Sequence, residues 1–375
     1  MKGKKPRHAP GEAEPRPRPF PPGKKQGEEI LVRGTNWVGD SVMSLPALRE
    51  LRRLYPQSRI TLLVRKWVAA IFQDQQLVDE IRPLPESRTM RRRLMAIRGL
   101  PRHFDRAVLL PNSFEVALSA FMAGIPERIG YRTDGRGLLL TRRATPRIRT
   151  LKRHQTYYYL DLLHQTGLSG IDYLNDASFQ PDLRLKPSPE GMRAAQSLLE
   201  QAGVQAGSRR VLINPGAIFG PAKRWFLDRY GLLADRLMES EKVEVLIIGS
   251  PGELGLAHEI ANSMRRCPYI LTGKTNLASL MGLLASCDLL ITNDSGPMHL
   301  AAALDVPQVA LFGSTDEIAT GPLSTRAHVI HKHVRCSPCL LRECPIDVRC
   351  FDRISVEEVL QTAREVLHSP SPNSS

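Results

Sequence analysis

Thr292-Asn293-Asp294-Ser295-Gly296-Pro297-Met298-His299-Leu300 is the stretch on which the fold turns. The apolar run at 289–291 ahead of it reads as a strand, and the small-residue run at 301–304 behind it reads as a helix. Asp294 or Ser295 suits a capping position, Gly296 permits a close backbone approach, and Pro297 fits the first helical turn. Free amides at a helix start, reinforced by the positive end of the helix dipole, favour a phosphate. In α/β sheets the carboxyl ends of strands are where ligands sit. The same residues also describe an ordinary capped helix, and taken alone they support both readings equally.

Working outward, the second half repeats this pattern. Strands at 211–214, 243–248, 269–271, 289–291 and 308–312 alternate with helices near 227–238, 254–264 and 277–284, and a helix at 356–366 closes the half. The first half has the same βαβ rhythm. A strand at 30–33 runs into the loop Gly34-Thr35-Asn36-Trp37-Val38-Gly39-Asp40, and a helix with Val42, Leu45, Leu48, Leu51 and Leu54 on one face stops before Pro56. Further strands follow at 60–64, 78–84 and 107–110. Each half is thus expected to be a doubly wound α/β sheet with right-handed crossovers. The Pro-rich run Lys186-Pro187-Ser188-Pro189 is the expected connection, which divides the chain into 1–28 (a basic tail), 29–185, 186–367 and 368–375 (a Ser/Pro tail).

A chain of 375 residues, 42% of them hydrophobic, has material for two cores. No run approaches the roughly 18 apolar residues of a membrane span, and the start of the chain lacks an apolar signal core. The expectation is a cytoplasmic protein. Of the net charge of +14, residues 1–28 supply +5, from eight Lys/Arg against three glutamates. The remainder is clustered in the first half. Arg82, Arg88, Arg91, Arg92, Arg93, Arg98, Arg102 and Arg106 face only Glu86 and Asp105, and Arg142, Arg143, Arg147, Arg149, Lys152 and Arg153 have no acid among them. Such clusters suit an anionic partner or a solvated face. Aromatic residues are only 6% of the chain and no nucleic-acid module is visible, so nucleic acid is not expected as a partner.

Two motifs are ruled out. Thr272-Gly273-Lys274-Thr275 ends like a P-loop, but the glycine required five positions before Gly273 is Pro268, and no three-glycine dinucleotide fingerprint follows the strand at 30–33. What remains at strand ends is Asp40, Asn214-Pro215-Gly216, Lys223, Glu253 and the 292–300 stretch. Lys223 follows a loop containing Gly216, Gly220 and Pro221, from which a flexible ammonium could meet a diphosphate leaving group; it could equally be a solvated lysine. Asp40 could accept a proton if burial against Trp37 raises its pKa, or could cap the helix it precedes. The adjacent tyrosines Tyr157, Tyr158 and Tyr159 read as packing. Cys336, Cys339, Cys344 and Cys350 fall within fifteen residues and could hold a structural zinc, in a tighter spacing than a zinc ribbon, while Cys267 and Cys287 read as core residues.

Taken together, Arg33 to Asp40 with Pro46-Ala47-Leu48, Leu110-Pro111-Asn112-Ser113-Phe114, Arg128-Ile129-Gly130-Tyr131, Asn214-Pro215-Gly216-Ala217 with Lys223-Arg224-Trp225, Thr292 to His299 and Cys336-Ser337-Pro338-Cys339 resemble the lipopolysaccharide heptosyltransferases of glycosyltransferase family 9. Within that family they look like its type II branch. The resemblance spans Ile30 to Leu367. It implies the GT-B architecture, two Rossmann-like doubly wound domains facing a central cleft, with acceptor on the first, nucleotide sugar on the second, and a final helix that can return to the first. The implied donor is ADP-L-glycero-β-D-manno-heptose and the acceptor heptosyl-Kdo2-lipid A at the cytoplasmic leaflet of the inner membrane, with the enzyme peripheral there. Inversion at the anomeric carbon is implied, and no cofactor is required apart from the candidate structural zinc.

Carried over by position, Asp40 matches the general base and Lys223 the phosphate-binding lysine. Asp294, Ser295 and Gly296 match the donor-diphosphate loop, which places Asn214, Gly216, Pro297 and His299 beside the donor, and Glu253 matches an acid near the ribose. Asn112, Ser113, Arg88, Arg91, Arg92 and Arg93 become acceptor candidates. Phe226 stands where many relatives have Pro after the Trp. Other family 9 transferases, a GT-B epimerase or hydrolase, and a non-catalytic binder of anionic ligands are the alternatives.

Overall fold

The computed structural model describes residues 26–87, 89–100 and 103–369. The first half contains β1 (Gln26–Arg33), β2 (Gln57–Val64), β3 (Glu80–Pro83), β4 (Arg106–Leu109), β5 (Glu127–Tyr131) and β6 (Arg142–Ala144). Its helices are α1 (Val38–Met43), α2 (Leu45–Leu54), α3 (Met90–Leu94), α4 (Phe114–Met122), α5 (Ile148–Leu151) and α6 (Gln155–Gln165). The second half contains β7 (Arg210–Asn214), β8 (Glu244–Ile247), β9 (Tyr269–Ile270), β10 (Leu289–Asn293), β11 (Gln308–Phe312) and β12 (Ala327–His331). Its helices are α7 (Pro189–Ala202), α8 (Leu227–Ser240), α9 (Leu254–Ser263), α10 (Leu277–Ala285), α11 (Gly296–Ala303), α12 (Glu317–Thr320), α13 (Arg349–Asp352) and α14 (Val356–His368).

Both sheets are parallel, six-stranded and wound alike, in the orders β3-β2-β1-β4-β5-β6 and β12-β11-β10-β7-β8-β9. Ile30, Leu31 and Val32 of β1 and Leu289, Leu290 and Ile291 of β10 are fully buried, as expected for central strands covered by helices on both faces. In each half the winding reverses between two neighbouring strands, β1 and β4 in one, β7 and β10 in the other. A doubly wound sheet opens its crevice at that reversal. This is the GT-B fold.

Three expectations need correction. The helix expected from Val42 to Leu54 is two helices that break at Ser44, because Pro46 has no N–H for the Val42 carbonyl and its ring crowds that carbonyl. The final helix does not return to the first half. α14 buries Val359, Leu360 and Ala363 in the cluster that holds Leu233 and Leu237, and Arg236–Glu357 (2.7 Å), Lys332–Glu358 (2.6 Å) and His368–Glu241 (2.8 Å) fasten it to the second half. Cys267 is exposed rather than in the core.

The halves are joined by more than their connection. Gln75 and Lys186 of the connection exchange hydrogen bonds, and the Leu185 N–H donates to the Ala303 carbonyl on α11 (2.7 Å). A single apolar cluster runs from Ile30, Val42 and Met43 to Leu283, Leu284, Leu300 and Ala301.

Candidate active site

At the β7/β10 reversal the side chains are tied to one another. Asn214, buried at the end of β7, donates through Nδ2 to Ser295 Oγ (2.8 Å) and Thr292 Oγ1 (3.1 Å), joining the ends of the two strands. Asn293 donates to the Pro215 carbonyl (2.8 Å) and accepts from the Tyr230 hydroxyl (3.0 Å) and the Trp225 N–H (3.2 Å). The turn is therefore rigid before any ligand arrives. Ser295 is the N-cap of α11 but makes no side-chain cap, and Pro297 in the first turn has no N–H to satisfy. The start of α11 presents uncapped amides at the crevice, the arrangement that favours an anion.

Asp294 has a different place from the one its loop suggested. Its carboxylate cannot donate to a phosphate; it pairs with Lys223 Nζ at 2.5 Å, with Asp294 5% and Lys223 14% exposed. Thr320 Oγ1 donates to the same carboxylate at 3.4 Å, and the Phe219 ring lies 5.1 Å from the ammonium. The aspartate thus holds the lysine at the crevice, beside the α11 amides. Gly216 approaches Glu253 so closely that a Cβ there would lie 2.0 Å from Oε1. Glu253 Oε2 accepts from the Ser250 N–H (2.8 Å) and hydroxyl (2.7 Å), which fixes the acid at the ends of β7 and β8.

Across the cleft, Asp40 lies inside α1, whose N-cap is Trp37, so it is not the cap of that helix. Burial raises its pKa, while a hydrogen bond from Tyr159 and the charge of Lys223 pull it back. The Tyr159 hydroxyl is 3.5 Å from Oδ1. Trp37, expected to bury the aspartate, is itself 59% exposed. The two crevices meet here. Gly39 packs on the His299 ring and Gly296 on Val38, where added Cβ atoms would come to 2.8 and 3.0 Å. Burial pushes the His299 imidazole down to about 4, so a neutral ring stands between the halves. His154 adds a second bridge, donating through Nε2 to the Gly321 carbonyl (2.9 Å) while its Nδ1 accepts from the Thr156 N–H.

The acceptor candidates are scattered more widely. Asn112 and Ser113 are exposed at the end of β4, next to the β1/β4 reversal. The Asn112 amide donates to the Tyr158 hydroxyl (2.9 Å) and accepts from Arg136 (3.4 Å), which leaves Ser113 as the freer group; Asp134 takes over the capping of α4, accepting from the Phe114 N–H at 2.7 Å. Arg91 and Arg92 are exposed on α3. Arg88 and the Arg93 side chain lie outside the described residues. Arg106 does not belong to any anion surface: it is buried, paired with Glu28 (3.0 Å) and Glu127 (3.3 Å) and bonded to the Tyr55 hydroxyl.

Cys336, Cys339, Cys344 and Cys350 line one cavity of about 20 Å³, and the Val348 N–H points at Cys344 Sγ (3.3 Å). No three of their sulfurs lie within 4.8 Å of one another; among the described residues the group of donor atoms that does so is Glu317, His331 and His333. The cysteine segment braces the lysine loop, since the Arg342 carbonyl accepts from the Ala222 N–H (3.1 Å) and Arg342 Nε donates to the Phe219 carbonyl (2.8 Å).

Four participants were not read from the sequence. Tyr159 reads as packing in the sequence, although successive residues on a helix point about 100° apart, so three in a row cannot all face one way. Arg33 opens the 33–40 motif without a role assigned to it and Arg136 belongs to no motif, yet both are buried, lowered to about 9 and about 10 by desolvation and cationic at neutral pH. Arg33 lines a cavity of about 40 Å³ with Arg65 and Glu115 beside the β1 end. Thr320 reaches Asp294 from an element with no sequence signal.

Comparison with known proteins places this arrangement. The family model for glycosyltransferase family 9 (heptosyltransferase) matches residues 92–348. The chain is 35% identical over 318 residues to lipopolysaccharide heptosyltransferase 2 of Salmonella typhimurium, covering 80% of this chain and 87% of that protein, and 34% identical over 317 residues to its Escherichia coli counterpart. The solved structure of E. coli ADP-heptose LPS heptosyltransferase II superposes with a TM-score of 0.76 at 31% identity, covering 90% of this chain and 98% of that one. A family 9 glycosyl transferase from Veillonella parvula shares the fold, with a TM-score of 0.79 at 24% identity.

Proposed function

Since the chain belongs to glycosyltransferase family 9 and is a heptosyltransferase, we propose that it moves L-glycero-D-manno-heptose from ADP-L-glycero-β-D-manno-heptose to heptosyl-Kdo2-lipid A, with inversion. The observation that carries this reading is the apposition across one cleft of a carboxyl group with a raised pKa, Asp40, and an ammonium held at an uncapped helix start, Lys223. The first suits proton removal and the second a departing diphosphate.

In the proposed step the bond between the anomeric carbon and the β-phosphate oxygen breaks, leaving its electron pair on ADP. The acceptor hydroxyl oxygen forms the new bond on the opposite face of the sugar, and its proton passes to Asp40. Lys223, held in place by Asp294, and the amides opening α11 take up the charge of the departing ADP. The scheme calls on no cofactor, because these groups supply the charge. Glu253, fixed beside Gly216, suits a ribose hydroxyl, and Asn214 and His299 keep the donor turn and the meeting of the halves in shape. Ser113, Asn112, Arg91 and Arg92 suit the sugar and its anionic groups on the acceptor side.

Among the described residues no helix is long and apolar enough to cross a membrane, so a peripheral position at the cytoplasmic leaflet belongs to the same proposal. A structural zinc on the four cysteines belongs to it too: they line one cavity, and holding the ion requires their sulfurs to draw closer together than they stand. One equivalent of zinc in purified protein, lost in Cys336→Ser/Cys339→Ser, is the expected result, and a metal-free protein with normal stability would remove the zinc from the scheme.

The test of function is release of ADP from ADP-heptose by purified protein with and without the heptosylated acceptor. Release that depends on the acceptor is expected. Release without it would point to hydrolysis, and no release would mean a different nucleotide sugar.

A further inference from the structure

β6 brings the chain to the carboxyl end of the first sheet, the same end as Asp40 and Asn112, and α5 follows there. Three residues after α5, His154 bonds to Gly321 of the second half, so α5 stands at the rim of the cleft on the acceptor side. This short helix is built inside out. Thr150 is its buried residue, 1% exposed, donating to the Asp161 carboxylate at 2.7 Å, while Ile148 and Leu151 are 74% and 59% exposed. Residues three apart share a helix face, so the two apolar side chains form one outward pair. An ordinary surface helix of a globular protein does the opposite.

The surroundings are cationic. Between Asp134 and Asp161 there are seven Lys/Arg and no acid. Arg136 is buried, but Arg143, Lys152 and Arg153 are exposed, and Arg153 lies over the Tyr157 ring at 5.2 Å. Leu138, on the crossover turn into β6, is 92% exposed. A pair of apolar prongs flanked along the chain by exposed cations is too small for a stable protein interface, which buries on the order of 800 Å² per partner. It fits a lipid surface, where apolar side chains enter the acyl boundary and cations meet anionic headgroups.

We propose that α5, with Ile148 and Leu151 as prongs and Arg143, Lys152 and Arg153 as its charged collar, docks on a bilayer carrying anionic headgroups and sets the acceptor side of the cleft against it. The proposal rests on the reading of the acceptor as lipid-anchored. Docking there presents a headgroup-borne sugar to Asp40 without extracting the lipid.

The test is flotation of the full-length protein with vesicles of phosphatidylcholine, alone or mixed with phosphatidylglycerol, alongside turnover of a deacylated, water-soluble acceptor. Wild type should float with the mixed vesicles in a salt-sensitive way, and Ile148→Ser/Leu151→Ser should lower the partition coefficient at least about tenfold, the scale expected for withdrawing two apolar side chains. Turnover of the soluble acceptor should be unchanged in that variant. The cations of residues 1–28 are common to both proteins, so the difference reports α5. Equal flotation of the two proteins would overturn the proposal, as would binding competed away by polyglutamate and indifferent to the serine pair, which would mark an acidic protein partner. Normal turnover of the soluble acceptor with no flotation of wild type would overturn the docking surface alone, whereas flotation as expected with no turnover would sink the proposed donor and acceptor and leave the surface standing.

Discussion

At the β7/β10 crevice almost every polar side chain already has a protein partner: Asn214 with Ser295 and Thr292, Asn293 with Pro215, Tyr230 and Trp225, Lys223 with Asp294. At the β1/β4 crevice the groups are looser. Asp40 has one long hydrogen bond, Ser113 is exposed, and Trp37 projects into solvent. The two sheets have the same winding, so topology does not explain the difference. The contrast fits their proposed tasks. A diphosphate is best met by a preorganised charge that moves little, whereas a base must gain and lose a proton and so cannot be locked into an ion pair.

The strongest way to break this comparison is to remove the proton acceptor. Asp40→Asn should lower kcat by about 100- to 10,000-fold with little change in ADP affinity. The same substitution should raise the melting temperature at neutral pH. A carboxyl whose pKa is raised in the folded state favours folding least when it is ionised, and above its folded pKa the full penalty applies. An Asp40→Asn protein that melts lower than wild type at pH 7 would show that the aspartate is structural.

Removing the partner in the rigid crevice should act on binding and on folding together. Lys223→Ala leaves the Asp294 carboxylate without its cation, a loss of about 3 kcal/mol or more for a pair this buried, and should weaken ADP binding at least tenfold. The double variant Lys223→Met/Asp294→Asn separates the two effects. Its stability should return towards wild type in chemical denaturation while ADP binding stays weak. Recovery of both would mean that the lysine meets no phosphate.

A smaller effect is expected at Gly216. A Cβ there would meet Glu253 at 2.0 Å, so Gly216→Ala must displace the acid, raising KM for the donor several-fold and costing about 1–3 kcal/mol of stability. The smallest effect sharpens the first crevice. Tyr159→Phe removes a hydrogen bond that favours the ionised aspartate, so the acidic limb of the kcat/KM profile should move to higher pH by a few tenths of a unit, with kcat at high pH nearly unchanged. A shift to lower pH would exclude Asp40 as the group titrating in that limb.

The fold was legible because both sheets are buried on two faces and announce themselves as apolar runs, with motif residues placed at the strand ends where a doubly wound sheet opens. That logic puts Asp40, Asn214, Lys223 and Ser295 at the crevices, and the structure has them there. What it could not supply was orientation. Nothing in the sequence says that Asp294 turns back onto Lys223 or that Tyr159, alone among three tyrosines, faces the aspartate. The first basic cluster misled for a related reason: composition counts Arg106 with Arg91 and Arg92, but the first is buried within the fold and the others face solvent. The break at Ser44 was legible in principle, since Pro46 was there to read, but the spacing of the leucines outweighed it.

The apolar cluster shared by the two halves bears on anyone who would recombine them. Leu283, Leu284, Leu300 and Ala301 lie in the same oil as Ile30, Val42 and Met43, so a cut at residues 186–188 divides the chain where the backbone is simple but the interior is not. A chimera that exchanges donor halves between relatives must therefore match α10 and α11 to the host's α1 region. Crossover points chosen by interior surface, rather than by the visible connection, are the ones expected to yield folded hybrids.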